Sequence, residues 1–260
     1  MIRERSFWVP SFLGLIYAFL YLPIIVLITF SFNSSSSNYS WSGFTFDWYR
    51  QLLNSTEIWD PFCNSMIIGT SAVFLSILFA LMFIWSLNWG YSKMFTIFYS
   101  TMLLPDIVIA VGLLIIFSFF AVPLGLTTLI AGHTLLGLGF AVPLIYSRYQ
   151  ELDQQVIEAS LDLGASNGQT FRKIVIPFLR PAIISSMLSV FVLSLDDFLV
   201  SFFCAGSASK TLSLYIYAMV RAGVSPIINA LSTVILIGSS ILVLIFSFLR
   251  IRMEREDEQA

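Results

Sequence analysis

The sequence predicts an all-α polytopic membrane protein with six transmembrane helices. Three observations predict it. Of 260 residues, 58% are hydrophobic and only 11% are charged, whereas a soluble domain carries about 25% charged residues. Mean hydropathy is +0.89, so the chain lacks the polar surface that water requires. Six stretches also reach the ~20 apolar residues that cross a bilayer as a helix. They run Phe12 to Phe32, Phe62 to Leu87, Phe95 to Phe120, Leu126 to Tyr146, Ala182 to Phe203 and Ile227 to Leu249. The chain reads as one transmembrane domain, 1–260, with a polar loop at about 150–180 and a charged tail at about 250–260.

The first span follows Arg3 and Arg5. It is too long for a signal-peptide core and lacks a small-residue cleavage site, so it is expected to remain as an anchor. The loop after it, Asn33 to Pro61, opens with Asn-Ser-Ser-Ser-Ser-Asn, a run expected to be flexible. It continues through Trp41, Trp48, Tyr49 and Trp59, aromatics that suit a membrane interface. Short turns are expected near Asn88 to Lys93 and around Ala121 to Gly125. Gly132, Gly137 and Gly139 on the fourth span suit close helix packing, with a hinge at Gly137–Pro143 as the lesser expectation.

The segment Leu152 to Pro177 is the one long polar interruption. Asp153 is placed to cap a helix over Gln154 to Leu163, and Gly164 to end it in the left-handed conformation. Ser166 opens a second run, with Gln169 three residues on at capping-box spacing. Arg172 and Lys173 fall in its last turn, where cations suit the helix dipole, and Pro177 is expected to stop it. Two short helices joined at Gly-Ala-Ser make a surface hairpin. Between Ala205 and Ser225, the residues Leu212, Tyr215, Ile216, Met219 and Val220 recur at helical spacing and predict a short amphipathic helix on the outer face. Ser225-Pro226 starts the last span, and the charged tail after Leu249 is expected to be disordered.

Basic residues orient the chain. With the N-terminus inside, ten lie inside (Arg3, Arg5, Lys93, Arg148, Arg172, Lys173, Arg180, Arg250, Arg252 and Arg255) and three outside (Arg50, Lys210 and Arg221). Both termini and the hairpin are therefore expected to face the cytoplasm.

Much chemistry is excluded. No basic stripe exists for nucleic acid. No Gly precedes a Lys, so there is no phosphate loop, and His133 is the single histidine. A multi-histidine metal site and ATP hydrolysis by this chain are ruled out, and no metal or cofactor is expected. Cys63 and Cys204 read as isolated thiols. His133 reads as a packed, hydrogen-bonded helix residue. The polar signal that remains is acidic. Asp106, directly after Pro105, and the pair Asp196 and Asp197 fall inside apolar segments, where charge is costly and tends to be functional. They suit a wet path for a cation. The alternative is structural: Asp106 caps a helix restarted after Pro105, and one of the pair caps a broken helix.

Glu158, Ala159 and Ser160, then Gly164, then Ile174, Ile176 and Pro177 resemble the EAA loop of ABC importer permeases, EAA-x3-G-x9-I-x-LP. Ser160 and Ile176 depart from it conservatively. The resemblance implies a MetI-like permease fold. It also implies that Glu158, Ala159, Ser160, Gly164, Ile174 and Pro177 belong to coupling helices that dock on a separate ATPase subunit. Further stretches resemble the spermidine/putrescine branch, the PotC type. They include Leu104-Pro-Asp-Ile-Val108, Leu193-Ser-Leu-Asp-Asp197 and Ile216-Tyr-Ala-Met-Val-Arg-Ala-Gly-Val-Ser-Pro226. Ile227 stands where a Glu often follows in that branch. This implies a bacterial inner-membrane permease whose path includes Asp106, Asp196 and Asp197. Its implied partners are a homologous second permease, an ATPase dimer that binds the ATP, an extracytoplasmic polyamine-binding protein and membrane lipid. Related permeases carry ferric ion or phosphonates, which is the alternative cargo. An internal inverted repeat, the mark of a secondary carrier, is not seen.

Overall fold

A computed structural model describes residues 8–35, 40–87, 95–207, 209–223 and 225–259. For residues 8, 9, 249–251 and 253–259 it describes the backbone alone. Arg3, Arg5 and Lys93, used in the charge count, lie outside the described residues, as do Ser36, Ser37, Asn38 and the turn near Asn88 to Lys93.

The described chain is almost wholly helical: α1 Trp8–Phe30, α2 Asp47–Asn54, α3 Thr56–Ser86, α4 Phe95–Leu103, α5 Asp106–Phe119, α6 Leu126–Gln150, α7 Gln154–Asp162, α8 Asn167–Thr170, α9 Ile176–Asp196, α10 Leu199–Cys204, α11 Leu212–Ala222 and α12 Pro226–Gln259. Among the described residues, five helical stretches are long and apolar enough to cross a membrane: Pro10–Phe30, Thr56–Ser86, Leu126–Gln150, Asn167–Asp196 and Pro226–Phe248. Taken as one span, the pair α4 and α5 makes six.

The chain divides into two compact units, one of residues 1–56 and 216–239, the other of 57–215 and 240–260. In the first, the loop after α1 is built on Asn33, which is fully buried. The Asn33 amide donates to the Ser40 carbonyl at 2.7 Å, and its Oδ1 accepts from the Ser42 N–H at 2.9 Å. Trp48 Nε1 donates to the Asn33 carbonyl at 2.7 Å, and Ser31 and Tyr49 share a hydroxyl bond at 2.7 Å. Phe32 packs on Phe44, Phe46 and Tyr49 with ring centroids 5.1–5.5 Å apart. The expectation of flexibility therefore fails at Asn33, whose side chain satisfies the loop backbone. Trp48 and Tyr49 hold the loop together by the same bonds, while Trp41 and Trp59 stay exposed.

In the second unit α6 packs chiefly on α9 and α4, and α5 on α10. One core cluster joins Phe83 and Ile84 of α3, Val142 and Ile145 of α6, and Leu179 and Val190 of α9. A second joins Ile68, Ile109, Leu113, Leu129 and Val200. At Gly137 a Cβ would strike the Ser76 hydroxyl and come within 2.7 Å of Val190, so glycine is what lets α3, α6 and α9 meet. Gly132 is similarly close to Val200, whereas Gly139 has ordinary clearance. α6 runs unbroken through Gly137–Pro143.

Four expectations are corrected. The third span is not one helix: α4 and α5 meet at 113°. Pro105 lacks an N–H and bars Leu104 from the helical region, so the helix stops and restarts. The fifth span also breaks, between Asp196 and Leu199. Pro177 does not end the hairpin's second run. A π-helical turn, Phe171–Val175, lets the backbone pass it into α9. The Ile176 N–H bonds the Phe171 carbonyl there, and the widened turn makes room for a proline ring that an α-helix would push against the Lys173 carbonyl. Finally, α12 continues through the tail to Gln259, because Arg, Met, Glu and Gln are all strong helix formers.

Candidate substrate cavity and coupling hairpin

The α4–α5 bend and the α9–α10 break face a common cavity of ≈ 290 Å³. Its lining includes Thr101 and Met102 of α4, Phe140 of α6, and all three flagged carboxylates, Asp106, Asp196 and Asp197. Among the described residues that line it, none has a basic side chain.

Each carboxylate reaches the cavity differently. Asp106 is the first residue of α5, placed by the restart after Pro105 at a helix N-terminus, where backbone N–H groups favour negative charge. It is exposed and does not cap the helix. Asp196 is the last residue of α9 and is also exposed. Among the described residues, neither side chain makes a hydrogen bond or ion pair. Asp197 is different. Its side chain is 6% exposed. Its Oδ1 accepts from the Val200 N–H at 3.3 Å and its Oδ2 from the Ser201 N–H at 2.9 Å, which closes the N-terminus of α10. The carbonyl that the break frees accepts from the Ser213 hydroxyl at 2.7 Å.

His133 of α6 is buried behind Asp197, 2% exposed. Its Nδ1 lies 2.8 Å from the Ser194 hydroxyl and its Nε2 3.6 Å from Asp197 Oδ2. Both cysteines are free, Cys63 exposed and Cys204 buried.

The hairpin forms as its caps require. Asp153 accepts from the Gln155 N–H at 2.9 Å. Gly164 holds φ +83°, where a side chain would be strained although nothing crowds its Cβ position. Ser166 and Gln169 form the reciprocal capping box. Ser160, where the EAA pattern has alanine, bonds Thr170 at 2.7 Å and ties α7 to α8. An open groove of ≈ 580 Å³ runs along this face; Asp153 and Gln155 line it together with the mainly apolar Val156, Ala159, Ser160, Leu163, Ala165 and Ile174. Three of the six flagged residues, Ala159, Ser160 and Ile174, line it. Glu158 and Gly164 stand exposed beside them, and Pro177 lies half-buried at the start of α9. Leu163, missed in the sequence reading, is 89% exposed. Its only signal was an apolar residue at a helix end beside the glycine cap. Arg148 at the end of α6 pairs with Glu151 and stacks 4.3 Å above the Phe178 ring.

The profile of a family described as binding-protein-dependent transport system inner membrane component matches residues 72–255. The chain is 38% identical over 238 residues to the spermidine/putrescine transport system permease protein PotC of Escherichia coli (strain K12), covering 90% of each chain. It is 33% identical over 266 residues to the putrescine transport system permease protein PotI of the same strain, covering 97% of this chain and 94% of that one. Among solved structures, a bacterial ABC transporter involved in import of the acidic polysaccharide alginate superposes with a TM-score of 0.72, at 18% identity over 96% of each chain. The fold is thus that of an ABC transporter permease.

Proposed function

The chain belongs to the family of binding-protein-dependent transport system inner membrane components, and from that premise we propose that it carries polyamines, spermidine or putrescine, as the permease subunit of an ABC importer. The observation that carries the cargo is the cavity. Two exposed carboxylates, Asp106 and Asp196, stand in it on different helices without a basic partner. Carboxylates in a wet path attract a cation, and a di- or triammonium chain offers one charge to each. The names of the relatives above agree with this cargo.

The chain supplies the path and its partners supply the rest. A second, homologous permease completes the pathway, an ATPase dimer binds and hydrolyses ATP, and an extracytoplasmic binding protein delivers the polyamine. The chain itself is non-catalytic. Both termini and the α7–α8 hairpin face the cytoplasm of the bacterial inner membrane, a placement that the ten-to-three division of basic residues supports. The ATPase docks on the groove lined by Val156, Ala159, Leu163 and Ile174, an exposed apolar patch of the kind that marks a protein contact. Closure of the ATPase dimer pushes on the hairpin. The π turn continues directly into α9, so the push travels along α9 to Asp196 at its far end. Glu158, Ala159, Ser160, Gly164, Ile174 and Pro177 serve this coupling.

The test is spermidine and putrescine uptake by the assembled complex. Uptake that Asp106→Asn and Asp196→Asn each depress supports the reading, and uptake unchanged in both removes it.

A further inference from the structure

The His133 imidazole touches both sides of the break in the fifth span. On the α9 side its Nδ1 lies 2.8 Å from the Ser194 hydroxyl, and on the α10 side its Nε2 lies 3.4 Å from the Ser201 hydroxyl and 3.6 Å from Asp197 Oδ2. All of this is closed off: His133 is 2%, Ser194 8% and Ser201 0% exposed. An apolar helix–helix contact would need none of these groups, because packing alone would fill the space. A proton on Nε2 suits the carboxylate beside it and leaves Nδ1 to accept from the Ser194 hydroxyl. Asp197, held from behind by His133 and in front by the Val200 and Ser201 N–H groups, has little freedom to turn. Asp197 is where the backbone leaves the helix, with φ −61° and ψ 125°. Anchoring its side chain therefore fixes where α9 ends, and with it the place of Asp196, the last residue of α9, at the cavity.

We propose that His133 is a positioning residue: it bridges Ser194, Asp197 and Ser201 across the α9–α10 break and thereby aims the Asp196 carboxylate into the cavity. The residue makes no contact with cargo. It acts through the backbone of the break, and the aim of Asp196 sets how well the path accepts a cation. The part that concerns cargo rests on the polyamine reading above. The part that concerns the direction of position 196 does not.

The experiment uses the assembled complex in membranes. The exposed Cys63 is first replaced by Ser, leaving the buried Cys204. Asp196→Cys and, separately, Thr101→Cys on the α4 wall of the same cavity are then modified with a cationic methanethiosulfonate. His133→Phe, which keeps bulk and removes both polar contacts, is expected to change the modification rate at position 196 by roughly fivefold, as loss of one hydrogen bond would. The rate at position 101 is expected to hold. His133→Asn, which retains a donor and an acceptor, recovers part of the change. With native Asp196, His133→Phe is expected to raise the half-saturating spermidine concentration more than it lowers the maximal uptake rate. An unchanged rate at position 196 overturns the proposal. Equal shifts at 196 and 101 do the same, since they mean general loosening, and so does failure of both His133 variants to assemble, since that makes His133 a core residue only. If the parent complex takes up no polyamine while the thiol pattern holds, the cargo reading fails and the positioning role stands.

Discussion

At Asp196 and Asp197 one peptide bond separates a carboxylate that lines the cavity without a partner from one that closes the end of α10. The two predict different failures. Asp197→Ala removes the cap and leaves buried N–H groups unpaired, so heat or detergent stability should fall by ~1–2 kcal/mol; Asn caps nearly as well and should restore most of it. Asp196→Asn, exposed and unpaired, should leave stability alone and lower polyamine uptake by roughly tenfold, the scale of one lost charged contact. Parallel unfolding and uptake measurements separate the two effects. The sequence shows that three acids sit in apolar segments and that neighbours on a helix cannot share a direction. Which of the pair caps the next helix was not legible, because it depends on where the helix breaks. The position of His133 was equally hidden: its partners, Ser194 and Ser201, are 61 and 68 residues away in sequence.

The hairpin was the most legible element, because its caps are local. Asp153, Gly164, Ser166 and Gln169 each act within a few residues, and each stands where the pattern puts it. Pro177 was misread for a similar reason. Its cost in an α-helix is local and well defined, but a π turn upstream offsets it, and no sequence pattern announces that turn. Gly164→Val forces a β-branched residue to φ +83°, a strain of ~1–2 kcal/mol, in a place with free space. It should uncouple ATP hydrolysis from uptake while the chain still inserts, which comparing ATPase and uptake rates of one preparation will show. Leu163→Asp should weaken binding of the ATPase subunit with no change in permease stability, measured by copurification, because Leu163 is 89% exposed and stands in the groove proposed for docking. Gly137→Leu should act in the opposite sense. It drives a side chain into Ser76 and Val190, costing ~1–3 kcal/mol or more of stability, while the hairpin surface is untouched.

At the scale of the whole molecule, composition and apolar lengths were enough to read a polytopic helical protein, since the bilayer imposes its thickness on every span. The breaks were legible only as the structural alternative, a restart after Pro105 and a helix capped by one of Asp196 and Asp197. The third and fifth apolar stretches are continuous in hydropathy, and it is Pro105 and the Asp197 cap that interrupt their backbones. Those two interruptions make the cavity. They expose helix ends and polar backbone inside an apolar protein, which is tolerated only where such groups line a cavity or find partners. On the proposed reading, a partner ATPase that docks at the hairpin groove, outside the cavity, supplies the energy. The account therefore turns on one measurement. The complex of this chain with its second permease, ATPase and binding protein is placed in vesicles, and ATP-driven uptake of labelled spermidine and putrescine is followed with and without Asp106→Asn and Asp196→Asn. Uptake of at least one polyamine that each substitution lowers is the result expected. ATP-driven uptake of an uncharged or anionic solute in place of either polyamine, unaffected by both substitutions, would contradict it.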